Sequence, residues 1–599
     1  MTAPVLPPAA RTAGRIFVIA LGACLLAVIA IAGWIGVRGA EAYGHVRAVQ
    51  DGTSGAIAAL SADPAAASTT LEGLAAHAAA ARDLTSDPIW RLGESVPWIG
   101  PQLSAFATVA AGLDAVLTEG LTPIARSAGG LSLDALKPVD GRIDPAPLAT
   151  IAEPARAGAD AVARSSARIH AIDTVPLAGV VADAVRDADA QFAEVATATD
   201  ALARAAALLP GMLGQDGPRT YLVIVQNNAE WRSLGGIAGA GVLLHTEDGV
   251  LTLSGTLSST DFPSGFPDPV APLSDEIVAL FDTKPARYIQ NTTQIPDFAV
   301  GAPLAAEMVR SETGLTVDGV LAVDPVVLSY LLDATGPVTV PTGDVLTADN
   351  AVSLLLNEVY FRYDKPADQD AFFSAAAGAV FDALARGTAS PGDLVSALGQ
   401  AGAERRLLLW SADPDDQLIL ADTTLAGPLP TTNDQTAQFG VYLNEGGGSK
   451  MSYYTHPSVQ LAWNTCAPSE TVAARSLTLT LTLESTAPAD AATSLPPYLT
   501  ADGAFGTAPG DSDVVGNIYL PTGYELTESS LSTGGGFGGG MHDGRQVLTF
   551  GVVLAPGASA TATVTVRAVT GADHAEALVT PTADADLATT VSAGCGALG

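Results

Sequence analysis

The stretch "QNNAEWRSLGG" concentrates side chains that could bind a ligand or act on one. Asn227 and Asn228 each offer a hydrogen-bond donor and an acceptor, and Arg232 offers a planar cationic fork suited to phosphate or carboxylate. Glu230 could serve as a base, as a metal ligand or as the ion-pair partner of Arg232. These residue types predict a site for an anionic ligand. The alternative interpretation is an ordinary turn in which Glu230 pairs with Arg232.

The neighbouring elements would position these side chains. Tyr221–Val225 is continuously apolar, as in a strand buried on both faces, and ligands of open α/β sheets bind beyond the carboxyl ends of such strands. Gly235 and Gly236 permit positive φ and a close backbone approach, so the chain can fold back beside that end. Three further polar residues precede the next predicted helix and could reach the same cleft: Arg287, Asn291 and Asp297.

Other chemistries have little support in the sequence. The seven histidines are scattered and form no metal-ligand spacing, so no metal site is predicted. Neither a GxSxG elbow nor a P-loop is present. Asp318 and Asp324 are interpreted as strand-end and helix-cap residues.

The composition bounds the class of protein. With 599 residues, 48% of them hydrophobic and 15% charged, the chain is expected to form several domains with real cores. The net charge of −35 repels phosphate backbones, which argues against a nucleic-acid partner.

The N-terminus predicts a membrane anchor. Ile16 to Val37 carries no charge and is about 22 residues long, or about 33 Å as a helix, which matches a hydrocarbon core of about 30 Å. The alternative is a cleaved signal peptide, but signal h-regions are shorter, about 7 to 15 residues. Arg11 and Arg15 precede the span and Arg38 follows it, a bias that favours a cytoplasmic tail at 1–15. The remainder is then extracytoplasmic at the cell membrane.

Cysteine use fits an exported chain. Cys24 lies in the anchor, and Cys466 and Cys595 are the two cysteines beyond it. In an oxidising compartment this pair is a candidate disulfide, and the alternative is two unrelated thiols.

Hydrophobic periodicity predicts a multidomain α+β chain. Residues 38–216 are Ala-rich, with a heptad-like seam from Val185 to Leu209, and predict a helical membrane-proximal stalk. Residues 217–412 alternate strands with helices and predict an α/β core domain. A linker at 413–437 leads to 438–599, where alternating stretches such as "SLTLTLTLES" predict a β-sandwich. The Gly-rich "STGGGFGGGMHDG" is predicted to be a flexible loop.

The motif stretch resembles a bacterial membrane-anchored family known only as the domain of unknown function numbered four thousand and twelve. That family shows NNAE, an apolar residue, Arg and GG, which are similar to "NNAEWRSLGG" here. It also shows a later PDF, matched at Pro296–Phe298, and a run similar to "VDGVLAVDPVVLSYLLDATGPVTVP". Trp231 replaces a more usual aliphatic residue, and Ile237 a more usual Phe. The family has no established activity.

The order of elements from Asn291 to Pro341 is also similar to part of the LytR-CpsA-Psr transferases. Those enzymes move glycopolymers from a polyprenyl pyrophosphate onto the cell wall, using arginines, acidic residues and magnesium. The usual RSD and PRD triplets are absent, and the nearest substitutes are Arg232, Arg287, Asp261 and Asp297.

Two functions therefore stay open. The first is a non-catalytic envelope protein that binds cell-wall glycan or organises partners. The alternative is a transferase acting on lipid-linked glycan, and only this alternative implies a magnesium cofactor.

Overall fold

The computed structural model describes residues 8–62, 64–127, 137–139, 141–465, 475–568 and 572–594. The chain is mixed α/β and divides into two compact units. The first, the helical unit, comprises Met1–Leu136 and Pro145–Pro210, and the second, the main unit, comprises Lys137–Asp144 and Gly211–Gly599. The α/β sheet and the β-sandwich, which were predicted as separate domains, both belong to the main unit. The predicted domain boundaries inside it stay predictions.

The helical unit is built from long Ala-rich helices. Its helices are α1 (Pro8–Ala62), α2 (Pro64–Thr85), α3 (Pro88–Glu94), α4 (Gly100–Ala115), α5 (Thr122–Ser127), α6 (Ala146–His170) and α7 (Gly179–Met212). A π-helical turn joins α4 to α5. Of the seam predicted along α7, every seventh residue from Val185 to Ala206 is buried, whereas Leu209 is exposed. The seam positions between them, Ala188, Val195 and Leu202, are partly buried and pack against the same apolar clusters of the unit.

Two helices among the described residues are long and apolar enough to cross a membrane: Val18–Gly52 and Gly100–Ser127. Only the first contains a span predicted from the sequence. None of the apolar window of the first is buried, whereas half of the window of the second is buried, as in the core helix of a bundle. Burial thus separates the exposed N-terminal helix from a helix that packs within its own unit.

A five-stranded sheet lies at the centre of the α/β part of the main unit. Its strands are β1 (Arg219–Arg232), β2 (Gly235–Glu247), β3 (Val250–Ser258), β4 (Gly319–Val323) and β7 (Leu408–Ser411). The strand order is β3-β2-β1-β4-β7, in which only β1 and β4 are parallel. Asp248 and Gly249 both have positive φ in the β2–β3 hairpin, the conformation that a two-residue turn between twisted strands requires.

Helices cover this sheet and a small two-stranded ribbon. They are α8 (Asp275–Phe281), α9 (Phe298–Thr313), α10 (Pro325–Thr335), α11 (Ala351–Ser353), α12 (Val359–Arg362), α13 (Pro366–Ala385), α14 (Pro391–Ala403) and α15 (Pro414–Leu420), and the ribbon pairs β5 (Val338–Thr339) with β6 (Val345–Leu346). The predicted cap at Asp324 is confirmed, since its carboxylate accepts a hydrogen bond from the Val327 amide. Helix α9 begins directly after Asp297, which caps it, and Pro303 lies inside it.

The C-terminal strands form two sheets that face each other across an apolar core. The strands are β8 (Thr436–Glu445), β9 (Thr455–Thr465), β10 (Ser476–Ser485), β11 (Ser512–Tyr519), β12 (Tyr524–Leu531), β13 (Gly538–His542), β14 (Arg545–Leu554), β15 (Ser559–Ala568), β16 (His574–Val579) and β17 (Thr590–Gly594). One sheet has the order β12-β15-β10-β9, and the other β13-β14-β11-β8-β16-β17. Two short helices, α16 (Ala491–Ser494) and α17 (Pro497–Thr500), lie between β10 and β11. Alternating residues of β10 are buried, which explains the alternation in its sequence.

The prediction of a flexible loop over the Gly-rich stretch is wrong for its second half. Gly538–His542 forms the edge strand β13, paired with β14. At Gly539, with φ of 133°, a Cβ would collide with the carbonyl oxygen of Val547. Glycine is therefore needed for the close strand approach and does not signal a lack of structure.

Candidate functional site

Strand β1 does not end where its apolar residues end. It continues through the polar residues to Arg232, with an irregular register in which Asn227 pairs with Ile237 and Trp231 pairs with Gly236. Asn228, Ala229 and Glu230 bulge out between these pairs. A Cβ on Gly236 would collide with the carbonyl oxygen of Asn227, so the close backbone approach expected there is present.

The two asparagines point their amides at different partners. Asn227 Nδ2 donates to the hydroxyl of Tyr360 at 2.7 Å, and its Oδ1 accepts from the Ala229 amide. Asn228 is fully buried, and its Nδ2 donates to Asp324 Oδ2 and to the Pro581 carbonyl, both at 3.1 Å. Since β1 and β4 pair in parallel as far as Val225 and Val323, Asn228 and Asp324 meet just beyond the paired stretch.

Four charged side chains form a buried group, here called the charge cluster: Glu230, Arg232, Glu445 and Lys450. Arg232 Nε donates to Asn291 Oδ1 at 3.0 Å, and its Nη1 donates to the Trp231 carbonyl at 2.7 Å. Its Nη2 lies 3.7 Å from Glu230 Oε1, and Lys450 Nζ lies 3.0 Å from Glu230 Oε2. Glu230 therefore bridges two cations.

Lys450 and Glu445 are perturbed by burial and by their neighbours. Lys450 Nζ lies 5.5 Å and 5.2 Å from the ring centroids of Tyr360 and Tyr498. Burial alone would lower the pKa of Lys450, but Glu230 and these tyrosines reverse that effect and raise it. Burial, followed by the charge of Glu230, raises the pKa of Glu445 to about 7, against the opposing effects of Ser449 and Arg232.

The raised pKa of Glu445 predicts a pH-dependent stability. Because the folded-state pKa lies above the usual value of 4.5, folding retains a proton that the unfolded chain releases, so stability falls as pH rises from about 4.5 to 7 and levels off above 7. Glu445→Gln removes this titration and is expected to flatten that decline. Urea midpoints of the full-length protein in detergent, measured from pH 4.5 to 8, check it. An unchanged slope in Glu445→Gln would contradict the assignment, and Glu525→Gln, at an exposed ion pair on β12, is the matched control.

Of the remaining predicted site residues, Asn291 joins the cluster through Arg232, whereas Arg287 and Asp297 contact other groups. Arg287 Nε donates to the Phe266 carbonyl at 2.8 Å, and its guanidinium lies over Tyr288. Asp297 accepts from the Ala299 amide as the cap of α9, and burial raises its pKa. The convergence of these two residues on Arg232 therefore stays a prediction without a contact to support it.

A second buried ion pair lies beside the cluster and was not predicted. Arg406 Nη1 lies 2.7 Å from Asp324 Oδ2, and both side chains are at most 1% exposed. Arg406 also donates to the carbonyl oxygens of Thr582 and Asp584 and to Glu404. Asn228 bonds the same Asp324 oxygen, which connects the motif to this pair. The rarity of basic residues, 28 among 599, was the signal that could have drawn attention to Arg406 and Lys450.

Metal and disulfide chemistry have separate outcomes. Among the residues that the structure describes, no group of three or more His, Cys, Asp or Glu side chains could hold a metal ion. The candidate disulfide partners Cys466 and Cys595 lie outside the described residues.

Comparison with known proteins identifies a family and no characterised relative. Neither a curated protein nor a solved structure matches the chain. Residues 216–360 match the family described as protein of unknown function (DUF4012), a segment that runs from just before β1 to Tyr360 and includes Asn227, Glu230 and Arg232. The match covers about a quarter of the chain, so this segment is what the chain has in common with the DUF4012 family.

Proposed function

We propose that the protein is a single-pass membrane protein whose bulk lies outside the cytoplasm, where it binds cell-envelope glycan or organises partners without catalysis. The exposed apolar helix α1 supports the anchor. The basic residue after the span is paired, since Arg38 Nε lies 3.2 Å from Asp87 Oδ2, and the sequence places Arg11 and Arg15 before the span, a bias that supports a cytoplasmic N-terminus. Reporter fusions after Gly217 and after Gly599 test the orientation, and a cytoplasmic signal from either contradicts it.

The internal bonding of the charge cluster carries the non-catalytic proposal. The Arg232 side chain is 11% exposed, and its nitrogens contact Asn291, the Trp231 carbonyl and Glu230. Lys450 is held by Glu230 and two tyrosine rings. An anionic substrate would have to displace these partners in a buried site from which water is excluded. That displacement would cost several kcal/mol. The cluster is better suited to fasten the bulge of β1 to residues 445–450 than to grip a pyrophosphate.

Two exposed aromatic residues supply a contact surface above the cluster. Tyr498 is 42% exposed and stacks on Tyr360, and Phe505 is 71% exposed and packs against Gly448. Both lie in the long connection between β10 and β11. Planar aromatic faces with polar surroundings suit the apolar faces of sugar rings. We therefore propose this connection as the glycan contact.

Cosedimentation of the full-length protein with purified peptidoglycan sacculi tests the glycan contact. The double substitution Tyr498→Ala and Phe505→Ala is expected to weaken retention about tenfold or more, because each aromatic face contributes on the order of 1 kcal/mol or more. Leu418→Ala, at a residue 74% exposed on α15, is the matched control and should leave retention unchanged. Equal retention of the wild type and the double variant would overturn the glycan contact and leave partner organisation as the role.

One observation favours the transferase alternative. Glu445, with a pKa raised to about 7 by burial and by the charge of Glu230, also interacts with Arg232, a set that could move a proton during group transfer. Thermal shift with a polyprenyl pyrophosphate analogue and magnesium separates the two functions. A ligand-dependent stabilisation of the wild type that is lost in Arg232→Lys supports transfer. Under the non-catalytic proposal the ligand shifts nothing, and Arg232→Lys and Arg232→Ala merely lower the melting temperature.

A further inference from the structure

Two neighbouring loops of the helical unit expose apolar side chains. The end of α3 with the turn to α4, and the loop between α6 and α7 with the start of α7, together present a surface, here called the apolar patch. It is formed by Leu92, Val96, Trp98, Ile99, Val175 and Val180. Trp98 is 89% exposed and Val175 90%. Gln102 joins the loops, since its Nε2 donates to the carbonyls of Trp98 and Pro176 and its Oε1 accepts from the Ala178 amide.

The patch is attached to α1 at the end of the exposed apolar run. Asp87, which caps α3, accepts a hydrogen bond from Trp34 Nε1 at 3.4 Å and pairs with Arg38. Ile35 packs so closely on α3 that its Cδ1 would lie 2.7 Å from a Cβ on Gly93. Residues 34–38 of α1 and the first turn of α3 are therefore fixed against each other, immediately before the patch begins at Leu92.

We propose that the apolar patch rests in the interfacial layer of the same bilayer that α1 enters, as a second membrane contact. The proposal rests on the anchoring of α1 proposed above. Large exposed apolar side chains that cluster mark an interaction surface, and tryptophan favours the level of the lipid headgroups. Trp34 lies at that level on α1, where the exposed apolar side chains give way to Arg38. Continuity with the span selects the bilayer as the occupant rather than a protein.

The backbone of the turn supports an outward-held Trp98. Its φ is 66°, a conformation that a bulky residue rarely adopts, and the Gly100 amide closes the turn by donating to the Val96 carbonyl. A Cβ on Gly100 would collide with the Glu94 carbonyl oxygen, so the tight turn depends on glycine. The turn thus presents Trp98 away from its own unit at a conformational cost, as expected for a side chain that has a partner elsewhere.

Quenching of tryptophan fluorescence by brominated lipid tests the second contact. The full-length protein is reconstituted into vesicles of phosphatidylcholine with or without bromine on the acyl chains. Trp98→Phe is expected to remove a share of the bromine-dependent quenching similar to that removed by Trp34→Phe, and at least about twice the share removed by the control Trp410→Phe in β7.

The variants keep failure of the patch distinct from failure of the anchor. If Trp34→Phe reduces the quenching and Trp98→Phe does not, the patch lies in water and the inference is overturned while the anchor stands. If Trp98→Phe alone reduces it, the patch contacts lipid and the anchor position is wrong. If neither variant changes the quenching, both proposals fail. Phenylalanine keeps position 98 apolar, so an unfolded variant is not the expected cause of a change.

Discussion

Replacing Arg406 with alanine is expected to lower the unfolding free energy of the main unit by about 3–5 kcal/mol. The substitution leaves the Asp324 carboxylate buried without its cation, and it leaves the carbonyls of Thr582 and Asp584 without their donor. Urea unfolding of the full-length protein in detergent, followed by tryptophan fluorescence, measures the loss. Arg406 connects residue 324, next to the five-stranded sheet, with residues 582–584 of the sandwich. We therefore expect the five-stranded sheet and both sheets of the sandwich to unfold together at a lower urea concentration.

An exposed ion pair provides the control for Arg406. Arg310 pairs with Glu307 on α9 at a side-chain exposure of 55%, so Arg310→Ala should cost no more than about 1 kcal/mol. Adding Asp324→Asn to Arg406→Ala should recover part of the loss, since no charge is then buried alone. Equal small losses for Arg406→Ala and Arg310→Ala would show that the buried pair contributes no more than a surface pair.

The second large effect is expected at Trp231. This side chain comes from β1 of the five-stranded sheet, yet it is fully buried in the core of the sandwich with residues such as Phe439 and Leu481. Trp231→Ala removes the largest side chain at that junction and is expected to cost about 3–5 kcal/mol. Differential scanning calorimetry should show one transition of the main unit moving to lower temperature. A split into two transitions would contradict the view that Trp231 ties the two regions into one cooperative structure.

Phenylalanine at position 231 separates packing from hydrogen bonding. Within the part of the chain that the structure describes, Trp231 Nε1 is buried without a hydrogen-bond partner. Trp231→Phe therefore loses volume but no hydrogen bond, and its cost should stay below about 1.5 kcal/mol. A loss as large as that of Trp231→Ala would mean that the indole nitrogen has a partner after all, such as a buried water.

The sequence predicts best the features that depend on neighbouring residues. Asp324 caps the start of α10, and the alternation in Ser476–Ser485 matches a strand with one buried face. Each of these features depends on residues that are close together in the sequence. Local backbone preferences and hydrophobic periodicity are sufficient to locate such elements.

Only those residues of the candidate site that are close together in the sequence were predicted. Asn227, Glu230 and Arg232 were identified, but Lys450 lies 220 residues from its partner Glu230, and Arg406 lies 82 residues from Asp324. No periodicity within a segment reports such pairings. The large sequence separation between β1 and its partners also explains why β1 was expected to stop at Val225. Polar residues normally end a buried strand, and here partners from residues 444–452 satisfy them.

The assignment of Lys137–Asp144 to the main unit has a consequence for how the chain can be cut. Arg142 pairs with Val250 across a β-bridge, its Nε donates to the Asp248 carbonyl, and the Ile143 amide donates to the Gly249 carbonyl. The polypeptide therefore passes between the units three times, near residues 136, 144 and 210. A single proteolytic nick after α7 would leave the main unit tethered through residues 137–144. One cleavage therefore cannot separate either unit from the other as an uninterrupted fragment.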